Sequence, residues 1–107
     1  MSVMEDSSDA LRSVSEVDRL IHEPARLMVV AILSAVESAD FLYLQRETGL
    51  TKGNLSSHLS KLESAAYIEI EKTYQGKTPL TICHLTAAVR EAFETYRQQM
   101  KKFVNSV

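Results

Sequence analysis

The chain has 107 residues, 45% hydrophobic and 24% charged, the make-up of one domain with its own core, and this excludes a multidomain assembly. Twelve Lys and Arg against fourteen Asp and Glu give a net charge of -2, which excludes nucleic-acid binding by bulk charge but leaves room for a local basic surface. Three Gly and two Pro supply neither a phosphate-cradling glycine loop nor a proline-rich linker.

In chain order, residues 1–9 carry Glu5, Asp6, Ser7, Ser8 and Asp9 and read as a flexible acidic tail. A single domain is expected over residues 10–107. Leu11, Val14, Val17 or Asp18, and Ile21 recur at steps of three and four, the spacing of a short amphipathic helix. Pro24 suits the first turn of a second helix, with Glu23 at the positive end of its dipole, and this helix is expected to run to about Ser38. Ala25, Met28, Val29, Ile32, Leu33 and Val36 make one apolar stripe, and Leu27, Val30 and Ala31 widen it, so the helix must be buried on more than one side. Leu27 to Leu33 is the longest apolar run and falls far short of the roughly 18 residues of a membrane span.

Phe41, Leu42 and Tyr43 read as a short strand, and Leu44 to Thr48 as one or two helical turns closed by Gly49. Leu50 and Thr51 then mark a new start: Thr51 can cap the next helix, and Leu50 can pack on Leu55 as a hydrophobic staple. The helix Lys52 to Ala65 turns Leu55, Leu59 and Leu62 to the core and leaves Lys52, Asn54, Ser57, His58 and Lys61 on its flank and opposite face. After Tyr67 the period shortens to two, with Ile68 and Ile70 opposed to Glu69 and Glu71. Tyr74 to Pro79 supplies a turn and Leu80 to Leu85 returns, giving a hairpin with a polar, cationic tip. Thr86 caps a last helix, expected over 86–104, in which Val89, Phe93, Tyr96, Met100 and Phe103 are spaced four, three, four and three, the seam of a heptad. One small domain cannot cover both that seam and the apolar second helix. The seam therefore predicts packing against a second copy, with Leu11, Val14 and Ile21 of the first helix joining the dimer interface.

Two helices joined by a short glycine-bearing turn, the second with polar side chains outward, form the helix-turn-helix unit that offers a helix to the DNA major groove, and the hairpin completes a winged helix. The run Thr51-Lys52-Gly53-Asn54-Leu55-Ser56-Ser57-His58-Leu59-Ser60-Lys61-Leu62-Glu63 resembles the recognition helix of small winged-helix regulators related to the MarR and ArsR families. The similarity continues through Tyr67-Ile68 and Leu85-Thr86 and covers about residues 20 to 103. It implies a mainly α (α+β) winged helix-turn-helix fold, a two-stranded wing and terminal dimerisation helices. The implied function is that of a homodimeric, DNA-binding transcriptional regulator of bacteria or archaea. Two departures carry expectations of their own. Ala66 stands where relatives commonly have Gly at the end of the recognition helix; keeping the same left-handed backbone costs about 1 kcal/mol, so a differently shaped helix end is expected. The hairpin offers Lys72 and Lys77 where many relatives carry Arg, which argues against insertion of the wing into the minor groove.

The candidate DNA-binding residues are Thr51, Lys52, Gly53, Asn54, Ser57, His58 and Lys61 on the helix, with Lys72, Gln75 and Lys77 on the hairpin. Asn54 suits an adenine edge, the helix lysines suit phosphate or guanine, and the hairpin suits backbone phosphate. A solvated helix face is the plain alternative. Gly53 is a poor helix former in a first turn, which asks for a reason such as close approach to a phosphate; a turn remnant is the other reading. Charge separates the cases: residues 1–23 hold six acids and two bases, while residues 51–62 hold Lys52 and Lys61 and no acid. A protein-interaction module without DNA binding is the rival, because it places no such constraint on this face.

Cys83 beside His84 does not make a metal site, since neighbours in a strand point to opposite faces and His22 and His58 lie far off without paired spacing. A lone cysteine also allows no internal disulfide, and the chain opens on no charged-then-apolar leader, so a cytoplasmic setting is expected. No nucleophile, base and orienting acid fall at catalytic spacing, and there is no cofactor motif, so the chain does not read as an enzyme. The expected partners are double-stranded DNA carrying a pseudo-palindromic operator, and a second copy. An effector pocket between dimer helices and core would leave no motif, so a small-molecule effector stays open.

Overall fold

Glu23 starts the first long helix, its carboxylate accepting from the Arg26 N–H at 2.9 Å and capping the helix that Pro24 opens. The structure, a computed structural model, describes residues 19–106; the acidic tail, Leu11, Val14 and most of the expected first helix lie outside that range. Residues 19–21 form a helical turn. The elements that follow are α1 (Pro24–Ser34), β1 (Ala39–Asp40), α2 (Phe41–Thr48), α3 (Lys52–Ser64), β2 (Ile68–Gln75), β3 (Thr78–Leu85) and α4 (Ala87–Ser106).

α1 ends at Ser34 rather than near Ser38, and the reason lies far along the chain. The Arg90 guanidinium of α4 donates to the carbonyls of Ser34 at 3.1 Å, Leu33 at 3.3 Å and Val36 at 3.1 Å. Leu33 and Ser34 carry carbonyls that a finished helix leaves unpaired, Val36 lies just past the cap, and a cation at the negative end of the dipole suits all three. The short strand is Ala39–Asp40, and Phe41 to Tyr43 belong to α2 instead, because the Asp40 carboxylate accepts from the Tyr43 N–H at 2.8 Å and starts the helix there. β1 pairs with β3, so the sheet has three antiparallel strands in the order β1-β3-β2 rather than a hairpin alone.

Gly49 closes α2 in the left-handed conformation at φ 71°, its N–H reaching the Gln45 carbonyl at 2.9 Å, as a glycine after a helix commonly does. Thr51 then caps α3, its hydroxyl accepting from the Asn54 N–H at 3.2 Å. The far end of α3 keeps the left-handed backbone despite having alanine there: Ala66 has φ 62°. Its N–H bonds the Glu63 carbonyl and the Tyr67 N–H bonds the Leu62 carbonyl, both at 2.9 Å. These two bonds are the paired closure of a Schellman end, and the Thr86 hydroxyl also donates to the Ala66 carbonyl at 3.0 Å. The expected change of shape does not occur, because three hydrogen bonds hold the turn against the strain of the Cβ.

The core gathers Val29, Val30 and Leu33 of α1, Leu44 of α2, Leu55, Leu59 and Leu62 of α3, Ile68 and Cys83 of the sheet, and Ile21 and Phe93 from either end. Burial of this apolar surface is the main stabilising term. α1 is indeed buried on more than one side. Its charged neighbours α2 and α3 present only one face each to the core.

Candidate nucleic-acid interface

At 3.6 residues per turn, the buried leucines Leu55, Leu59 and Leu62 fix which way α3 faces, and Gly53, Ser57 and Ser64 fall opposite them. Lys52, Gly53, Asn54, Ser57 and Lys61 are all exposed. None of these side chains makes a hydrogen bond or ion pair with another described residue. Thr51 differs, since its hydroxyl is engaged as the cap. A Cβ built on Gly53 meets nothing within 4 Å, and the backbone there is ordinary helix. The fold supplies no reason for glycine at this position.

His58 turns toward α1 rather than away from the domain. Its Nδ1 lies 3.3 Å from the Arg26 guanidinium and 3.7 Å from the Glu23 carboxylate, with the ring mostly covered. Arg26 also donates to the Leu20 carbonyl, in the turn just before α1. The Glu23 carboxyl is held below its ordinary value by the Arg26 N–H; burial opposes this, while the Ala25 N–H, His58 and the Arg26 charge assist. Sequence reasoning did not single out Arg26, because its partner lies on another helix and no local spacing signals the pair.

The hairpin is longer and its turn tighter than the sequence suggested. Gln75 pairs with Thr78, leaving Gly76 and Lys77 as a two-residue turn. Positive φ at Gly76 alone, 65°, marks the type that favours glycine first and matches the strand twist. Register decides which side chains share a face. Ile68, Ile70, Lys72 and Tyr74 pair with Leu85, Cys83, Thr81 and Pro79 on the core side, while Gln75 pairs with Thr78 on the other. Lys72 therefore looks toward α3 and Gln75 does not, although both are exposed. A groove of about 740 Å³ runs between α3, the hairpin and the start of α2, lined by Lys52, Ser56, Ser60 and Glu63 of α3, by Ile70, Lys72, Pro79 and Thr81 of the hairpin, and by Asp40, Leu42 and Gln45.

Cys83 is fully buried, and burial pushes its thiol up to about 11, with the Glu63 and Asp40 charges adding to the shift. His84 points to the opposite side and pairs across the strands with Glu69 at 3.3 Å. Among the described residues no group of three or more His, Cys, Asp or Glu is arranged to hold a metal ion, and no helix is long and apolar enough to cross a membrane.

The heptad seam of α4 divides in two. Phe93 is buried and stacks with Tyr96 at 5.9 Å, and Val89 and Tyr96 pack on the domain's own core, as does Ile21. Beyond them Met100 and Phe103 are exposed, joined by Val104. A 20-residue helix is about 30 Å long, and only its first half is used by the domain.

Comparison with known proteins bears on this arrangement. The winged helix DNA-binding domain family matches residues 25–104. Uncharacterized protein MJ0432 of Methanocaldococcus jannaschii is 33% identical over 78 residues, 73% of this chain and 85% of the relative. Among solved structures, a transcriptional regulator homologue from Pyrococcus horikoshii shares the fold with a TM-score of 0.77 at 24% identity, covering 89% of this chain and 96% of that one. A MarR family transcriptional regulator from Silicibacter pomeroyi superposes with a TM-score of 0.61 at 18% identity, covering 94% and 68%. With its helix-turn-helix, paired wing and match across residues 25–104, the chain belongs to the winged helix DNA-binding domain family.

Proposed function

We propose that the protein is a sequence-specific transcriptional regulator that binds operator DNA as a homodimer, with α3 in the major groove. The observation that carries this reading is the outward face of α3: exposed, free of acids from residue 51 to 62, and unused by the rest of the described fold. Lys52 and Lys61 contact phosphate or guanine, Asn54 and Ser57 contact base edges, and Gly53 lets the helix N-terminus close on a phosphate. Lys72 and Lys77 add backbone contacts from the wing. Thr51 contributes by holding the helix start, and His58 by tying α3 to α1 through Arg26.

The exposed apolar end of α4, with Met100, Phe103 and Val104, supports dimerisation, because a heptad seam left in water loses the burial that its spacing provides for. Two-fold symmetry then sets two recognition helices about 34 Å apart, one turn of DNA. The protein is expected in the cytoplasm, where its operator is. Selection from a random duplex pool tests the reading. It should enrich an imperfect palindrome with half-sites about one turn apart. Failure to enrich any sequence would favour a protein-interaction module, and sedimentation as a folded monomer at tens of micromolar would remove the dimer.

A further inference from the structure

The wing tip carries an aromatic ring that the fold does not use. Tyr74 is 70% exposed, three residues short of Lys77, and no hydrogen bond or ring contact joins it to another described residue. An exposed tyrosine on a hairpin end gives up apolar burial that a polar residue would not. Three features say which way it faces and what it meets. Strand register puts it on the same side as Lys72, the side that looks toward α3, and directly opposite Pro79. Lys72 and Pro79 line the groove whose other walls are Lys52, Ser56, Ser60 and Glu63 of α3 and Asp40 to Leu42; Tyr74 lies outside that lining, two residues beyond Lys72 toward the tip and away from the two groove carboxylates. Residues 72–90 contain no Asp or Glu, so no carboxylate of the hairpin tip repels a phosphate there.

Resting on the reading of α3 as a DNA-binding helix, we propose that Tyr74 is the wing's principal DNA contact, packing its ring against the deoxyribose edge of the backbone flanking each half-site. The tip lies about 7 Å beyond Lys72 along the strand, so the lysine meets phosphate while the ring meets sugar. The two-residue turn at Gly76 and the pairing of Tyr74 with Pro79 fix the backbone from which the tyrosine projects. Because this apolar contact releases no counterions, it is insensitive to salt.

The test uses the full-length protein and a fluorescent duplex of about 30 base pairs, selected from a random pool by the wild type and long enough for two half-sites. Anisotropy titrations are run across a series of salt concentrations for wild type, Tyr74→Ala, Tyr74→Phe and Lys72→Ala. Tyr74→Ala should weaken binding by about five- to tenfold per subunit at every salt concentration, with an unchanged salt slope. Tyr74→Phe should bind as wild type, and Lys72→Ala should flatten the slope. Thermal melts of all three variants should match wild type, since both side chains are exposed. Wild-type affinity in Tyr74→Ala overturns the inference and points to a protein partner for the ring; a flattened slope in that variant also overturns it, because the ring would then be acting through the lysines. A wild-type protein that binds no duplex defeats the reading of α3 itself.

Discussion

Replacing Gly53 with alanine separates what the fold needs from what DNA needs. Gly53 is the second residue of α3 and has ordinary helical backbone, and an added Cβ meets no atom within 4 Å. Alanine in a helix is favoured over glycine by about 1 kcal/mol in the interior, somewhat less in a first turn, so a gain of roughly 0.5–1 kcal/mol is expected. For a chain of this size that raises Tm by about 2–6 °C. The same methyl group stands where the helix N-terminus would approach a phosphate, and lengthening one charge-assisted hydrogen bond costs on the order of tenfold in affinity per subunit. Thermal denaturation and anisotropy on one preparation should therefore move in opposite directions. A higher Tm with unchanged DNA affinity would refute the close approach, and a lower Tm would refute the open geometry at this position.

Other substitutions probe the fold around the interface. Ala66→Gly removes left-handed strain of roughly 1–2 kcal/mol and returns part of it as chain entropy, so a net stabilisation of about 0.5–1 kcal/mol should appear in urea melts; destabilisation would contradict the φ of 62°. Arg90→Ala strips three carbonyls at the end of α1 of their donor and should cost about 2–3 kcal/mol in the same assay. Cys83 should resist thiol reagents at pH 8 until denaturant exposes it. Its raised value also makes a pH prediction: the folded state favours the neutral thiol, so this contribution to stability is complete below 9.0 and is lost as pH rises through about 11. Cys83→Ala should remove that alkaline component.

Much of the candidate site was legible because its signals are local. Thr51 caps three residues ahead, Gly49 closes the helix it follows, and the leucines of α3 declare their face by spacing alone. What escaped depends on partners distant in sequence. The end of α1 is set by Arg90, the three-stranded sheet by the pairing of Ala39 with Cys83, and the orientation of His58 by Arg26 and Glu23. Ala66 shows a different limit: a residue's preference predicts the strain, but the bonds made by Tyr67 and Thr86 decide whether the strain is accepted. The seam of α4 was read as one surface, yet packing divides it at Tyr96, since the domain ends before the helix does.

The salt dependence of DNA affinity tests the central claim most directly. Each lysine that neutralises a phosphate contributes about 0.9 to the slope of log affinity against log salt, and each substitution in a homodimer removes two lysines. The wild type should show a steep slope on its selected duplex, and Lys52→Ala and Lys61→Ala should each flatten it by about two units, with unchanged melting temperatures. Slopes identical to wild type in both variants would take α3 out of the interface.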